Sequence, residues 1–201
     1  MDWHSQNIKV YDDAAYELAE HFSGIGSRIS DIERGLELAK KTNGARIVEI
    51  GCGDGRDAVE ITNRVAWYEG FDPSIGLLNI AKEKSSNMSF VLADALSYEY
   101  PNNIDVVYAF ASLLHVNQND LIDVFCKVKQ SLRKNGIFYI SLKERNSYTE
   151  EVKTDIHGDR MFYYYNPSII KNLAGDDFKS IYEDHQTIGK TIWFTIALLK
   201  Q

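Results

Sequence analysis

Residues 48–61 read VEIGCGDGRDAVEI, with Gly51, Gly53 and Gly55 at every second position between an apolar run and a helix-like stretch, and with Glu49 just ahead of them. Glycine backbone lets a ligand lie against the main chain, and an acid beside it suits a ligand ammonium. A pyrophosphate-binding loop needs a third glycine three residues after the second, to bring a helix N-terminus close, and Arg56 stands there instead. The loop is therefore read as holding a nucleotide-like ligand without a pyrophosphate. Asp72 follows Gly51 by 21 residues, the distance at which a carboxylate accepts from both hydroxyls of a ribose. Asp94, in LADAL, is placed to accept from an adenine exocyclic amine.

These acids need strands that end side by side. ARIVEI (45–50), YEGFD (68–72), SFVLAD (89–94), IDVVYAF (104–110) and GIFYISL (136–142) are near-continuous apolar runs. The stretches between them carry helical periodicity at 56–65, 75–84 and 118–133, and that alternation predicts a parallel sheet covered on both faces. Two helices, over 12–22 and 30–41, are expected before the first strand. Asn166 and Pro167 start another, as N-cap and first helical residue, and Gly175 stops it. Residues 178–184 and 191–199 then read as an antiparallel hairpin at one sheet edge.

This constellation resembles the class I S-adenosylmethionine-dependent methyltransferases. VEIGCGDGRDA matches their first motif, GFDPS the ribose acid, FVLADAL the adenine acid, IDVVYAFASLLHV the fourth strand and LRKNGIFYISLKE the fifth. The resemblance implies a Rossmann-like, doubly wound α/β fold, with seven mostly parallel strands, an antiparallel C-terminal hairpin and helices on both faces. It implies one domain over 1–201, with an N-terminal helical cap at 1–43 and a core at 44–201. S-adenosylmethionine is then the cofactor: Glu49 serves its amine, and Gly51, Cys52 and Gly53 make the backbone contact. Asp72 with Pro73 and Ser74 serves the ribose, and Asp94 with Ala95 the adenine. Tyr16 in the cap and Phe110 with Ala111 at the fourth strand's end complete the set.

Methyl transfer from a sulfonium is a displacement that mostly needs the nucleophile held in line, with a general base only when the nucleophile starts protonated. His115, after the fourth strand, is the candidate base, expected to titrate between about pH 5 and 8. Arg160 opens RMFYYYNP and is read as a catalytic and substrate-binding residue able to hold a carboxylate or phosphate, with Tyr11, Tyr164 and Tyr165 walling the acceptor pocket. Should these prove structural, Trp3, Tyr11 and Tyr16 are the next candidates. Asp155, His157 and Asp159 alternate on an expected loop and are read as turn chemistry, so no metal is expected.

The remaining features bound the function. A net charge of -7 and the lack of a basic cluster argue against nucleic acid as partner. The sequence shows neither a signal-peptide pattern nor an 18-residue apolar stretch, so a cytoplasmic protein without membrane contact is expected. Cys52 and Cys126 form no disulfide framework. The expected partner is a small-molecule methyl acceptor. A non-catalytic S-adenosylmethionine-binding module is the alternative, followed by a nicotinamide-dependent oxidoreductase, which Arg56 disfavours.

Overall fold

The computed structural model describes residues 2–41 and 44–201. Three helices come first, α1 (Trp3–Asp13), α2 (Ala15–Ile25) and α3 (Ile29–Leu38). The N-terminal helix expected over 12–22 is in fact two, broken at Ala14 (φ -107°, ψ 20°). Asp2 starts α1 by accepting from the His4 and Ser5 N–H groups, which satisfies donors that the helix itself leaves free. Gly26, at φ 80°, ends α2.

The core alternates as the apolar runs predict: β1 (Arg46–Ile50), α4 (Ala58–Thr62), β2 (Trp67–Asp72), α5 (Ile75–Lys84), β3 (Ser89–Leu92), β4 (Ile104–Phe110), α6 (Gln118–Ser131) and β5 (Leu132–Lys143). Then come β6 (Thr149–Asp155), β7 (Gly158–Tyr164), α7 (Pro167–Ala174), β8 (Phe178–Ile188) and β9 (Thr191–Lys200). One sheet has the order β3-β2-β1-β4-β5-β9-β8. Strands β1 to β5 run parallel, and β9 is antiparallel to both β5 and β8. This is the Rossmann-like, seven-stranded architecture expected from the sequence. The chain fills the β1-β2-β3 side first and then crosses to β4, so the strand order reverses between β1 and β4, where such sheets open a crevice at their carboxyl ends. Asn166 caps α7 as its sequence predicts, accepting from the Ile169 N–H at 2.9 Å.

The β6-β7 hairpin was not expected. The sequence reads as loop over 155–159 and as an aromatic stretch over 160–165, yet residues 149–155 pair with 158–164 as a separate two-stranded sheet, from Thr149↔Tyr164 to Asp155↔Gly158. TEEVKTD has few apolar residues and one face in water, so no buried-strand signal marks it. Asp155 and Asp159 serve the hairpin: Asp155 accepts from the His157 N–H at 2.9 Å and pairs with Arg160, and Asp159 accepts from the Thr154 hydroxyl at 2.6 Å. Among the described residues no group of three metal-ligating side chains comes together, and no helix is long and apolar enough to cross a membrane.

Helix α3 packs on the sheet through Gly35. A Cβ there would lie 2.5 Å from the Tyr108 hydroxyl oxygen. That ring is fully buried, and its hydroxyl donates to the Ile32 carbonyl at 2.6 Å, so it cannot swing aside without losing the bond. Alanine would gain about 1 kcal/mol of helix propensity over glycine, while overpacking a core costs about 1–3 kcal/mol. Gly35→Ala is therefore expected to lower the unfolding free energy by up to about 2 kcal/mol in a denaturant melt. A rise would show that the helix moves off the sheet freely.

Candidate functional site

A cavity of about 720 Å³ opens where the strand order reverses, a volume suited to a small-molecule ligand. The glycine loop forms its floor. The Gly51 and Cys52 N–H groups both donate to the Phe71 carbonyl, at 2.8 and 3.0 Å, which folds the loop back over the end of β2. Gly51 sits at φ 69°, and a Cβ on it would lie 2.3 Å from Ser112 Cβ, so backbone conformation and close approach both demand glycine. Gly53, at φ 54°, meets only Leu77 at 3.9 Å and faces open space.

Two buried acids stand beside this loop. Glu49 is 2% exposed and accepts from the Tyr68 hydroxyl at 2.6 Å, and no cation pairs with it among the described residues. Burial, then the nearby Asp57 carboxylate, push its carboxyl well above the usual range. An ammonium in the cavity would supply the missing charge. Asp72 accepts from the Gly53 N–H at 2.9 Å and the Ser74 N–H at 2.8 Å, but burial outweighs both and pushes its pKa up to about 6. Pro73 and Ser74 also line the cavity, although the Ser74 hydroxyl is committed to Asp12 of α1 at 2.6 Å.

Asp94 lies at the cavity's edge, part-exposed. Burial raises its pKa, but the Ser97 and Leu96 N–H groups, at 2.7 and 2.8 Å, outweigh it and hold the carboxyl below its usual range. Its other oxygen faces the His4 ring at 3.2 Å. Ala95, Phe110 and Ala111 line the same region, Ala111 at φ 56°. Next to it the Ser112 hydroxyl is buried without a partner, facing Gly51. An unpartnered buried hydroxyl in a cavity wall is a contact left for a ligand.

The other half of the cavity is built by α1, the 3₁₀ turn Leu113–His115 and β7. His115 bridges them: Nδ1 lies 2.7 Å from the Met161 carbonyl, and Nε2 lies 2.9 Å from the Tyr11 hydroxyl. A carbonyl only accepts, so Nδ1 carries the proton and Nε2 accepts from Tyr11. Burial, with Arg160 and Lys143 nearby, pushes the His115 pKa down to about 3 against the help of the Met161 hydrogen bond. The Arg160 guanidinium pairs with Asp155 and lies 5.3 Å from the Tyr11 ring centroid and 5.6 Å from that of Phe162. Its Nε is buried without a partner.

Residues 47–136 match the family of methyltransferase domains. A ubiquinone/menaquinone biosynthesis C-methyltransferase of Campylobacter jejuni is 26% identical over 89% of this chain and 84% of its own length. The phosphoethanolamine N-methyltransferase of Plasmodium falciparum is 24% identical over 74% of this chain and 57% of its own. Among solved structures, an S-adenosylmethionine-dependent methyltransferase from Leishmania major superposes with a TM-score of 0.75 at 17% identity, over 98% of this chain and 83% of that one. The matched residues span the glycine loop and β4. Residues 47–136 match a methyltransferase domain, and the fold around them is that of S-adenosylmethionine-dependent methyltransferases.

S-adenosylmethionine is accordingly the cofactor of this methyltransferase, and the residues present fit it: Glu49 lacks a cation, Gly53 faces open space, and Ser112 and Asp72 turn polar atoms to the cavity. Three expected site residues lie elsewhere. Tyr16 is 71% exposed on α2 and is not part of the cavity wall, because it stands on the face of α2 opposite the one that brings Leu18, Phe22 and Ile25 to the cavity. Tyr164 and Tyr165 are also outside the wall: both are core residues, and Tyr165 donates to the Val116 carbonyl at 2.6 Å. Phe162, two residues before Tyr164 on the same face of β7, lines the cavity in their place. Trp3 lines a second, smaller cavity of about 320 Å³. Sequence reading missed Arg28, Asp57, Ser112, Lys143 and Trp193, all in the main wall: Arg28 and Trp193 stand in no motif, and the motif segments that contain Asp57, Ser112 and Lys143 assign those positions no role.

The lowered pKa moves His115 out of the window expected from sequence. Its C–H resonances should stay in the neutral position from pH 8 down to pH 5 in an NMR titration of the folded chain. An inflection between pH 6 and 7 would show the ring open to water. The sign for stability follows, since the unfolded state takes up this proton first as pH falls below the ordinary histidine value near 6.5: His115 contributes stability above that pH, lost as pH drops towards about 3.

Proposed function

We propose that this methyltransferase transfers the methyl group to a small-molecule acceptor by in-line displacement, with the cofactor on Glu49, Gly51, Cys52, Gly53, Asp72, Asp94 and Ala95 and the acceptor against Tyr11, His115 and Arg160. One observation carries the reading: a single cavity runs from the glycine loop and its two buried acids to the Tyr11–His115 pair. Bound there, S-adenosylmethionine supplies a methyl group on a positively charged sulfur that leaves with the electron pair of the broken bond.

The chain's own share is position, exclusion of water and the fate of one proton. Holding a nucleophile in line removes much of the entropy cost of a two-body reaction. Tyr11 and His115 are linked at 2.9 Å, so an acceptor that loses a proton hands it to the Tyr11 oxygen as the Tyr11 proton passes to His115 Nε2. The imidazolium so formed keeps Nδ1–H on the Met161 carbonyl. The two curated relatives methylate carbon and nitrogen by their names, and both chemistries can require such a base.

Two experiments test this. Asp72, with its pKa near 6, is ionised at pH 7 and able to accept from two ribose hydroxyls. Asp72→Asn should weaken S-adenosylhomocysteine binding at least tenfold by calorimetry. Wild-type affinity should fall as pH drops below about 6, and the variant should lack that fall. Undiminished affinity in the variant would remove Asp72 from the ribose site. Tyr11→Phe should lower turnover about 100-fold on an acceptor found by release of S-adenosylhomocysteine, with cofactor affinity within threefold of wild type. Equal loss of both would make Tyr11 a packing residue.

A further inference from the structure

Lys143 is the last residue of β5, and its side chain enters the acceptor half of the cavity. Its ammonium lies 4.5 Å from the Phe162 ring centroid and 5.5 Å from that of Trp193. Among the described residues it has no carboxylate within ion-pair distance and no hydrogen-bond acceptor, unlike the charges around it. Arg160 pairs with Asp155, and Lys153 lies 3.8 Å from Glu151, which also takes Arg145 at 3.2 Å. Three cations nevertheless converge on one aromatic ring, with Lys153 at 5.7 Å and Arg160 at 5.6 Å from the Phe162 centroid. Glu151 is the acid that faces Lys143, from β6.

That arrangement is unfavourable without a counter-charge. A half-buried ammonium loses hydration, and its neighbours of like sign add repulsion. Burial, then Lys153 and Arg160, pull the Lys143 pKa down to about 8. A ring face attracts a cation but cannot neutralise three. The Arg160 Nε, buried and unpartnered, offers a donor in the same half of the cavity. Of the three cations, Lys143 is the one without a counter-charge among the described residues.

Resting on the methyltransferase reading of the cavity, we infer that the acceptor carries an anionic group, a carboxylate or a phosphate ester, held between the Lys143 ammonium and the free Nε–H of Arg160. Phe162 and Trp193 flank that group with apolar surface, which shuts out water and strengthens the charge pairing. The His115 ring lies 4.7 Å from Phe162, so the anchored acceptor sits beside the Tyr11–His115 pair.

The test titrates inorganic phosphate and, separately, acetate at constant ionic strength into the isotopically labelled full chain, with and without saturating S-adenosylhomocysteine. NMR follows the Trp193 indole and the Lys143 amide. At least one anion should give a saturating shift at both, and the tighter of the two identifies the acceptor's acidic group. Lys143→Met should weaken that binding at least tenfold, Lys143→Arg by less than threefold, and Lys153→Met by less than threefold. Absence of saturation for both anions in the wild-type chain, or equal affinity in Lys143→Met, would overturn the inference. S-adenosylhomocysteine affinity is read separately: its absence in the wild type would sink the cofactor site, while the titrations without it still decide on Lys143.

Discussion

The half of the cavity away from the glycine loop depends on the side-chain amide of Asn7. Its Oδ1 accepts from the Met161 N–H at 2.8 Å and its Nδ2 donates to the Met161 carbonyl at 3.0 Å, so one buried side chain on α1 pairs with β7 as a neighbouring strand would. The same Met161 carbonyl accepts from His115 Nδ1 and thereby sets the tautomer that lets Nε2 accept from Tyr11. Helix, hairpin and 3₁₀ turn are thus locked at one backbone position, and a buried amide that lost this partner would cost its full desolvation. At its other end α1 is held by Asp12, which accepts from the Ser74 hydroxyl and the Gly76 N–H next to Asp72. One helix therefore spans both halves of the cavity.

The two halves carry opposite electrostatic demands. On the side of the glycine loop, Glu49 and Asp72 are buried with their pKa values raised, so each awaits positive charge or hydrogen-bond donors. On the far side burial and neighbouring cations lower the pKa values of His115 and Lys143, so an anion there would be favoured. Low-dielectric surroundings make both demands costly to leave unmet. The fold tolerates them together because hydrogen bonds and packing elsewhere, such as Asn7 on Met161 and Tyr108 on Ile32, are fully satisfied.

The parallel core and the loop it carries were legible because their signals are local. β4 is apolar at every position but Asp105, and buried on both faces, which only a covered parallel strand allows. Glu49, Gly51 and Asp72 stand at the ends of such strands, so their convergence followed from topology. β6 was illegible because a charged, half-wet strand has no composition that separates it from a loop. Without that hairpin the direction of residues 160–165 was open, and Tyr164 was placed in the wall where Phe162 stands. Lys143 carried no signal at all, since its meaning lies in a missing counter-charge, which a sequence does not display.

That missing charge bears on the base as well. A histidine with a pKa of about 3 is a poor proton acceptor near neutrality, and part of that weakness comes from Arg160 and Lys143. An anion placed between those two cations would cancel much of their field on the imidazole, and the cost of forming the imidazolium would fall. Tyr11 and His115 would then gain basicity only when the acceptor is seated. A weak base in the empty site avoids a buried charge with no partner, and a stronger one in the filled site matches the moment at which a proton has to leave. The same two cations would in this way bind the acceptor and time the proton transfer, which links substrate choice to catalysis through charge alone.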